Sequence, residues 1–162
     1  MSFEVVKNAI VAQFGESAIV SSHEAAIQPF IVLKTELLLE VCAALQSNPD
    51  FYFDHLSCIT GIDNGEEKKS MEVIYHLYSI TKNLHFVIKV VLDRETPSVP
   101  SITSIWGTAN WHERETFDLF GIHFEGHPDL RRILLPANWE GFPLRKDYTT
   151  QEYFHGVKVD YE

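Results

Sequence analysis

The chain has 162 residues, of which 45% are hydrophobic, and it carries a formal net charge of −10 at pH 7. This length and composition predict one globular domain with a sizeable core. The negative charge argues against binding of nucleic acid and against docking on anionic lipid, because both need a basic surface. No apolar run approaches the ~20 residues that span a bilayer, so direct membrane insertion is not expected.

The N-terminal residues and the cysteine content both indicate a cytosolic protein. The opening segment MSFEVVKNAI has an early acidic residue and lacks the apolar core followed by small residues of a signal peptide. The two cysteines, Cys42 and Cys58, are too few for a disulfide framework and are typical of a reducing compartment.

The first fifty residues predict two helices and two short strands. Apolar residues at helical spacing predict a helix from Ser2 to about Phe14, which Gly15 ends. β-branched residues around a polar turn predict strands at Ala18–His23 and Ala26–Leu33. Thr35 can cap the second helix. The apolar face of that helix comprises Leu38, Val41, Cys42 and Leu45.

Three longer strands follow, separated by short polar loops. We expect them at Tyr52–Asp63, with a break near Gly61, at Met71–Ile80 and at His85–Leu92. Strands and helices are grouped rather than alternating along the chain. The pattern therefore predicts an α+β fold, with a mixed or antiparallel sheet that carries helices packed on one face.

The last third of the chain begins with helical character and then loses it. Ser101–Phe120 is predicted to be helical in two pieces interrupted at Gly107, and Gly121 supplies the C-cap. Three prolines follow at intervals of seven or eight residues and forbid a long helix. We therefore expect an α+β body over residues 1–121 and an extended, partner-binding C-terminal arm over residues 122–162, within one domain overall.

The run from Trp111 to Tyr148 has a composition unlike the rest of the chain. It holds four of the five arginines, whereas the first 110 residues use six lysines and only Arg94. The three tryptophans lie in this run or just before it. Arginine and tryptophan enriched over lysine are typical of a buried protein–protein contact. The arm is therefore expected to need a partner, and to be mobile beyond about Pro128 in the isolated chain.

The histidines of this region offer an alternative interpretation as a metal site. His112, His123 and His127 lie near one another in sequence, and with nearby carboxylates they could serve a stand-alone metal hydrolase. No cysteine joins them, and the chain has neither an H-E-x-x-H nor a C-x-x-C motif. Turn and interface histidines are the favoured interpretation, and no metal site is expected.

No other pattern predicts catalysis or a cofactor bound by this chain. Glu113, Glu115 and Asp118 are carboxylates on one predicted helix, for which a structural or interface role is favoured over acid–base catalysis. An iron–sulfur cluster needs about four thiolates, more than the chain supplies. A Gly-rich phosphate-binding loop is also absent from the sequence.

The motif between residues 113 and 148 resembles the signature of the C-type, or 30 kDa, subunit of the proton-pumping NADH:quinone oxidoreductase, respiratory complex I. The matching residues are Glu113-Arg114-Glu115, Phe117-Asp118-Leu119-Phe120-Gly121, Gly126-His127-Pro128-Asp129-Leu130-Arg131-Arg132-Ile133-Leu134, Trp139, Gly141 and Pro143-Leu144-Arg145-Lys146-Asp147-Tyr148. Length, acidity and the preceding body are also similar to that family, so the resemblance covers essentially the whole chain.

The resemblance implies a non-catalytic structural subunit of the peripheral arm that docks on the D-type subunit, the quinone-site subunit of the complex. The complex moves electrons from NADH to quinone and pumps protons, with NADH, FMN, iron–sulfur clusters and quinone bound by other subunits. It also implies a peripheral location on the cytoplasmic face of the bacterial inner membrane. An equivalent subunit of a related membrane-bound hydrogenase or other quinone-linked dehydrogenase is the alternative, and a scaffold unrelated to respiration is disfavoured by the motif.

Within the motif, the two adjacent arginines should point in opposite directions if the chain is extended. One of them is then expected to pair inside the chain, with Asp118 or Asp129, while the other reaches the partner. Phe117 and Phe120 are expected to pack against the sheet. The predicted partner interface comprises Arg114, Asp118, His127, Asp129, Arg131, Arg132, Trp139, Arg145, Lys146 and Asp147.

One departure from the family pattern concerns the end of the chain. Many relatives follow the Lys-Asp-aromatic step with Pro-Leu and a longer tail along their partner. Here Thr149-Thr150 follows Tyr148, and the sequence stops at Glu162. The extent to which the arm wraps the D-type subunit is left open by this difference.

Overall fold

A computed structural model describes residues 3–159, in which three helices pack on one face of a five-stranded sheet. The helices are α1 (Phe3–Phe14), α2 (Leu38–Ser47) and α3 (Ala109–Phe120). The strands are β1 (Ile19–His23), β2 (Phe30–Leu33), β3 (His55–Asp63), β4 (Ser70–Ser79), β5 (Leu84–Asp93), β6 (Ser98–Pro100), β7 (His123–Glu125), β8 (Tyr153–Phe154) and β9 (Val157–Lys158). Short 3-10 turns occupy Glu16–Ala18 and Thr35–Leu37.

The main sheet is mixed, which is one of the two arrangements that the sequence predicts. Its strand order is β1-β2-β5-β4-β3, with β2 and β5 parallel and the other neighbours antiparallel. Along β4, every second residue is buried, because one face of the sheet is covered by the helices while the other is not. The α+β class with helices on one face is confirmed.

The core lies between this face of the sheet and the three helices. The sheet contributes Tyr75, Phe86 and Ile88, which are essentially inaccessible to solvent. The helix side contributes the predicted apolar face of α2, whose four members are all buried. Burying a large apolar side chain stabilises the fold by about 2 kcal/mol, so these periodic positions fix how α2 sits on the sheet.

Two predicted strands are shorter than expected, and one break is misplaced. The structure begins β2 at Phe30, because residues 24–28 form a turn and bends before Pro29. It begins β3 at His55, because Tyr52 has a positive φ of 43° that no strand accommodates. The strand continues through Gly61, so the break expected there is wrong, and the register shifts between Leu56 and Cys58 instead.

The predicted start of the second helix is also wrong. Thr35 lies inside a 3-10 turn and makes no capping hydrogen bond, and α2 begins three residues later at Leu38. A capping residue must stand just outside the helix in a non-helical conformation, whereas Thr35 is already part of a helical turn. The first predicted helix is confirmed over Phe3–Phe14; Ser2 lies outside the described residues.

The helix predicted from Ser101 is present only in its second piece. Residues 101–108 form turns, and α3 begins at Ala109. The buried carboxylate of Glu113 holds the turns, because it accepts hydrogen bonds from Ser101 Oγ at 2.6 Å and from the Ile102 N–H at 2.8 Å. The indole N–H of Trp106 also donates to the Phe53 carbonyl at 3.0 Å. Tertiary contacts therefore override the local helical preference.

Beyond α3 the chain returns to the body before it becomes irregular. β7 pairs in parallel with β6, and Phe124 is buried. Residues 126–152 form turns and irregular structure, and β8 and β9 make a small antiparallel pair at the end. We call residues 126–159 the C-terminal segment. None of the helices within residues 3–159 is long and apolar enough to cross a membrane.

Candidate partner-binding surface

Helix α3 buries polar side chains, which are costly to bury unless they are paired. Its buried polar residues are Glu113, Arg114, Thr116 and Asp118. Its aromatic residues Phe117 and Phe120 are partly buried and pack against the core, as expected. Thr116 donates to the His112 carbonyl within the helix at 2.8 Å. The other three side chains bind neighbouring loops, so α3 connects the body to the C-terminal segment.

Asp118 is the centre of the first connection. Its Oδ1 accepts a hydrogen bond from Arg132 Nη1 at 2.8 Å. Its Oδ2 accepts three more, at 2.9, 2.7 and 3.0 Å, from the backbone N–H groups of Ile133, Leu134 and Leu135. Burial raises the pKa of this carboxyl group, but the four hydrogen bonds outweigh burial and leave its pKa below the ordinary value. Asp118 therefore fixes residues 132–135 while it is ionised.

Arg132 extends the same connection further along the chain. Its guanidinium group also donates to the Asp118 carbonyl at 2.8 Å and to the Gly141 carbonyl at 2.8 Å. It lies 5.1 Å from the ring centre of Phe142, within the range of a cation–π contact. Of the two adjacent arginines, Arg132 is thus the one whose side chain is paired inside the chain with Asp118.

The C-terminal end of α3 is bound by the same segment. The last carbonyls of a helix lack partners within the helix and must find them elsewhere. The Leu144 N–H donates to the Leu119 carbonyl at 3.1 Å, and Arg145 Nε donates to the Phe120 carbonyl at 2.7 Å. Gly121 ends the helix in the left-handed conformation with φ 72°, which confirms the predicted C-cap.

A second connection joins the end of β3 to residues 146 and 147. The buried carboxylate of Asp63 accepts hydrogen bonds from Arg94 Nε at 2.8 Å and Arg94 Nη2 at 3.0 Å. It also accepts one from the Lys146 N–H at 2.8 Å, while Arg94 Nη2 lies 2.7 Å from Asp147 Oδ1. The hydrogen bonds from Arg94 hold the pKa of Asp63 well below its usual range.

The start of α3 contacts the beginning of the C-terminal segment. Arg114 Nε donates to the Arg131 carbonyl at 3.2 Å. His127 Nδ1 accepts from the Asp129 N–H at 3.0 Å, so its Nε2 donates to the Asn110 carbonyl at 3.3 Å. The Arg131 side chain pairs with Asp129 at 2.9 Å but is largely exposed. Arg131 is therefore available at the surface.

Trp139 lies in an aromatic cluster near the end of the segment. Its indole N–H donates to the Tyr148 hydroxyl at 3.1 Å, and its ring centre is 5.1 Å from that of Phe154. The indole is half-buried among these side chains. Trp139 thus orders residues 139–154 within the chain, and part of its surface remains open to solvent.

Several large apolar side chains of this region are exposed although the backbone beneath them is tied to the body. Trp111, Leu134 and Leu144 are 64%, 60% and 51% exposed. The guanidinium carbon of Arg114 lies 5.2 Å from the ring centre of Trp111. We refer to these three apolar residues, together with Asp129 and Arg131, as the C-terminal surface. Exposed apolar residues are typical of a protein-binding surface where they lie together.

The ten residues predicted to contact a partner divide into two groups. Those bound mainly inside the chain are Arg114, Asp118, His127, Arg132, Trp139 and Arg145. Those exposed are Asp129, Arg131, Lys146 and Asp147. The prediction did not include Asp63 and Arg94, which contact the segment, or Trp111. Trp111 stood out only by its residue type, and nothing in the sequence joins Asp63 to Arg94 across 31 positions.

The structure also places the histidines and carboxylates considered for catalysis. His123 lies exposed on β7, whereas His127 is bound between Asn110 and Asp129. The described part of the chain contains no group of three or more His, Cys, Asp or Glu side chains that could hold a metal ion. Glu113 and Asp118 bind different segments, at residues 101–102 and 132–135, so they do not form a carboxylate pair.

Comparison with known proteins identifies the family. Residues 31–154 match the family model described as "Respiratory-chain NADH dehydrogenase, 30 Kd subunit". The chain is 41% identical over 161 residues to the C-type subunit of the NADH-quinone oxidoreductase of Chlorobium phaeobacteroides (strain DSM 266 / SMG 266 / 2430), an alignment that covers 99% of this chain and 94% of that protein.

Two solved structures share the fold. One, described as "Nqo5 of the trypsin-resistant fragment (1-134) in P63 form", has a TM-score of 0.63 and 30% identity, covering 78% of this chain and 97% of that one. The other, from the membrane-bound sulfane sulfur reductase, an archaeal respiratory membrane complex, has a TM-score of 0.73, covering 90% of this chain and 85% of that one. At 20% identity the second similarity concerns the fold alone. The chain belongs to the family of the 30 kDa, or C-type, subunit of the respiratory-chain NADH-quinone oxidoreductase, complex I.

Proposed function

We propose that this chain is a non-catalytic structural subunit of the peripheral arm of complex I, which docks on the D-type subunit near the quinone site. In this role it supports electron transfer from NADH to quinone coupled to proton translocation, while other subunits bind NADH, FMN, the iron–sulfur clusters and quinone. The complex holds it at the cytoplasmic face of the bacterial inner membrane. Membership of the 30 kDa subunit family is the ground for the reaction and the partners.

The observation that supports docking is the C-terminal surface. Buried contacts of Asp118 and Asp63 fix the backbone at Ile133, Leu134 and Lys146 before any partner binds. Backbone that is ordered before binding loses less entropy on association. Leu134 and Trp111 expose apolar surface to water in the free chain. Burying that surface against a partner lowers the free energy, because apolar surface is more stable out of water.

A second candidate function uses the same C-terminal surface in a related complex that catalyses a different reaction. The fold is shared with a subunit of an archaeal respiratory membrane complex that is named a sulfane sulfur reductase. An equivalent subunit of a related hydrogenase or quinone-linked dehydrogenase would use the same kind of contact. Only the partners recovered with the chain distinguish these two candidates.

The test is a pull-down from native membranes through a tag at the N-terminus, with co-purified subunits and NADH:quinone reductase activity read together. Recovery of a D-type subunit with activity supports the proposal, and recovery of hydrogenase-type partners supports the second candidate. A chain recovered alone contradicts both.

A matched pair of variants locates the contact. Leu134→Ser alters the C-terminal surface, whereas Ile80→Ser alters a turn between β4 and β5 at a similar exposure of 62%. Loss of one buried apolar anchor lowers affinity by roughly tenfold or more. We expect Leu134→Ser to reduce recovery of the D-type subunit and Ile80→Ser to leave it unchanged; equal recovery from both variants would place the contact elsewhere.

A further inference from the structure

The third strand of the main sheet has an open edge. β3 is the last strand in the order β1-β2-β5-β4-β3, so within residues 3–159 only its β4 side is paired. A groove of about 240 Å³ runs along the other side, between β3 and α3. Leu119, Phe120 and Leu144 form its apolar walls. The groove is separate from the C-terminal surface except at Leu144, which contributes to both.

The register of β3 on β4 decides which backbone groups face this groove. The Asn64 N–H donates to the Ser70 carbonyl, which continues the ladder beyond the directly opposed pair of Asp63 and Met71. In an antiparallel ladder, hydrogen-bonded and non-hydrogen-bonded pairs alternate. The N–H and C=O groups of Ile59 and Gly61 therefore point away from β4 and toward the groove.

In the part of the chain that the structure describes, these outward groups have no hydrogen-bond partner, although Ile59 and Gly61 are themselves little exposed. Ile59 is 7% exposed and Gly61 is buried. The hydrogen bonds among residues 3–159 include none from a residue outside β4 to the N–H or C=O of either one. Unpaired N–H and C=O groups along an open strand edge are a template on which another extended chain can pair.

The absence of a side chain at Gly61 shapes the groove. A Cβ at this position would lie 2.8 Å from Phe120 Cδ2 and 3.0 Å from Thr116 Cγ2. Glycine therefore allows α3 to pack directly on the strand while the backbone of β3 stays accessible from the side. A glycine in a strand interior often marks the close approach of another backbone.

Charge indicates the kind of segment that fits. Glu115 lines the groove, is exposed, and makes no ion pair with any residue between 3 and 159. The chain as a whole carries a net charge of −10, so a second copy of it would be repelled. A positively charged partner segment would be attracted to the same position.

We propose that the edge of β3 accepts an extended segment of a neighbouring subunit of the complex. The segment pairs with the backbone of Ile59 and Gly61 as a sixth strand. It places an apolar side chain against Leu119 and Leu144, and a lysine or arginine beside Glu115. Strand addition of this kind takes its affinity from main-chain hydrogen bonds and its selectivity from side-chain pockets. The inference rests on the proposed function, because the partner is a subunit of the same assembly.

Hydrogen–deuterium exchange of β3 tests the proposal directly, in the full-length chain alone and in the purified complex. We expect the amides of Ile59 and Gly61 to exchange at least about tenfold more slowly in the complex, as a newly formed backbone hydrogen bond requires. The amides of Thr60 and Ile62 face β4 and serve as internal controls, since they should be protected in both samples.

A pair of charge reversals tests whether a lysine or arginine of the partner segment lies beside Glu115. Glu115→Lys changes the groove, and Glu40→Lys changes an exposed helical glutamate on α2. We expect the exchange protection of Ile59 and Gly61 in the complex to fall about threefold or more with Glu115→Lys, and to be unaffected by Glu40→Lys. Unchanged protection in the Glu115 variant would contradict the charged contact.

The remaining outcomes separate this inference from the proposed function. If the complex contains the chain but Ile59 and Gly61 exchange as fast as in the free chain, water fills the groove; the strand proposal is then wrong and the subunit assignment stands. If the free chain shows protection that rises with its own concentration, the occupant is a second copy and the strand proposal is again wrong. If no complex contains the chain, the proposed function itself fails.

Discussion

Arg132 Nη1 donates a hydrogen bond of 2.8 Å to Asp118 Oδ1, although the two residues are 14 positions apart and Arg132 follows the end of α3. The same carboxylate accepts the backbone N–H groups of three successive residues that follow Arg132. A single buried charge therefore determines the path of the chain as it leaves the body.

Replacing Asp118 should destabilise the fold strongly. Asp118→Asn keeps the size of the side chain but removes the negative charge that faces Arg132 and three N–H groups. Breaking a buried ion pair on one side costs about 3 kcal/mol or more. Asp129→Asn breaks an exposed pair with Arg131 and should cost less than about 1 kcal/mol. Urea unfolding of both variants measures the difference in the free energy of unfolding. Similar decreases in the two variants would show that Asp118 does not hold residues 132–135 in place.

The isolated chain should show order where the Asp118 contacts lie. Composition predicts mobility beyond Pro128 in the absence of a partner, whereas the contacts of Asp118 predict slow exchange for the amides of residues 133–135. Amide exchange of the isolated chain distinguishes the two expectations. Fast exchange at residues 133–135 would mean that the partner, rather than Asp118, orders this part of the chain.

Asp63 should make the chain sensitive to acid. Hydrogen bonds from Arg94 and the Lys146 N–H lower its pKa in the folded chain, below the value of about 3.9 expected after unfolding. Its contribution to stability is therefore complete above about pH 4 and is lost as the pH falls toward the folded pKa. Asp63→Asn should be less stable at pH 7 and should lose less on acidification, and Asp50→Asn, on an exposed residue, is the control. Urea unfolding at pH 7 and pH 3 measures both effects.

Glu113 should have the opposite effect on the pH dependence of stability: it should make the folded chain less stable as the pH rises. Burial raises the pKa of its carboxyl group to about 7, above the value of about 4.3 in an unfolded chain. The folded chain thus keeps a proton that the unfolded chain releases, so stability falls by about 3 kcal/mol as the pH rises from about 4 to 7.

A neutral replacement tests that sign. Glu113→Gln resembles the protonated group and can still bond Ser101 and the Ile102 N–H, so it should abolish the fall in stability between pH 5 and pH 8. Glu115→Gln, on an exposed neighbour, should retain the fall. Denaturant titrations at both pH values provide the measurement, and parallel curves for wild type and Glu113→Gln would contradict the assigned protonation.

Gly121 should be intolerant of any side chain. It has φ 72°, and an added Cβ would lie 2.5 Å from Phe142 Cε2. Gly121→Ala should therefore cost about 3 kcal/mol, from backbone strain and from overlap with the ring. Gly126→Ala shares the positive φ but has open space, and should cost about 1 kcal/mol. Gly107→Ala lacks both features and should be nearly neutral; an equal cost for all three in thermal unfolding would exclude the contact with Phe142.

Local patterns in the sequence were sufficient for much of the fold. Periodicity predicts the buried face of α2, because residues three and four apart share one side of a helix. Strand-forming runs bounded by polar turns predict β4 and β5 to within one residue at each end. A glycine directly after a predicted helix predicts the left-handed cap at Gly121. These features depend on near neighbours in the chain, so the sequence contains them directly.

The errors occur where distant residues compete with local preference. Residues 101–108 have helical character, but the buried carboxylate of Glu113 holds their start in turns. Gly61 suggests a break in a strand, but in the folded chain it is the position at which α3 packs against the sheet. In both cases a contact between separate elements is decisive, and no local pattern contains it.

By itself, the amino-acid sequence determined the α+β class, most of the elements and the family, because each is expressed in local periodicity or in a contiguous motif. Only the tertiary structure decided which charges of the motif are used inside the chain, since Asp118 pairs with Arg132 14 positions away and Asp147 pairs with Arg94 from outside the motif. It also decided that Leu144 and the open edge of β3 line one groove. Both depend on how the sheet and α3 pack together, and that packing arises only when the whole chain folds.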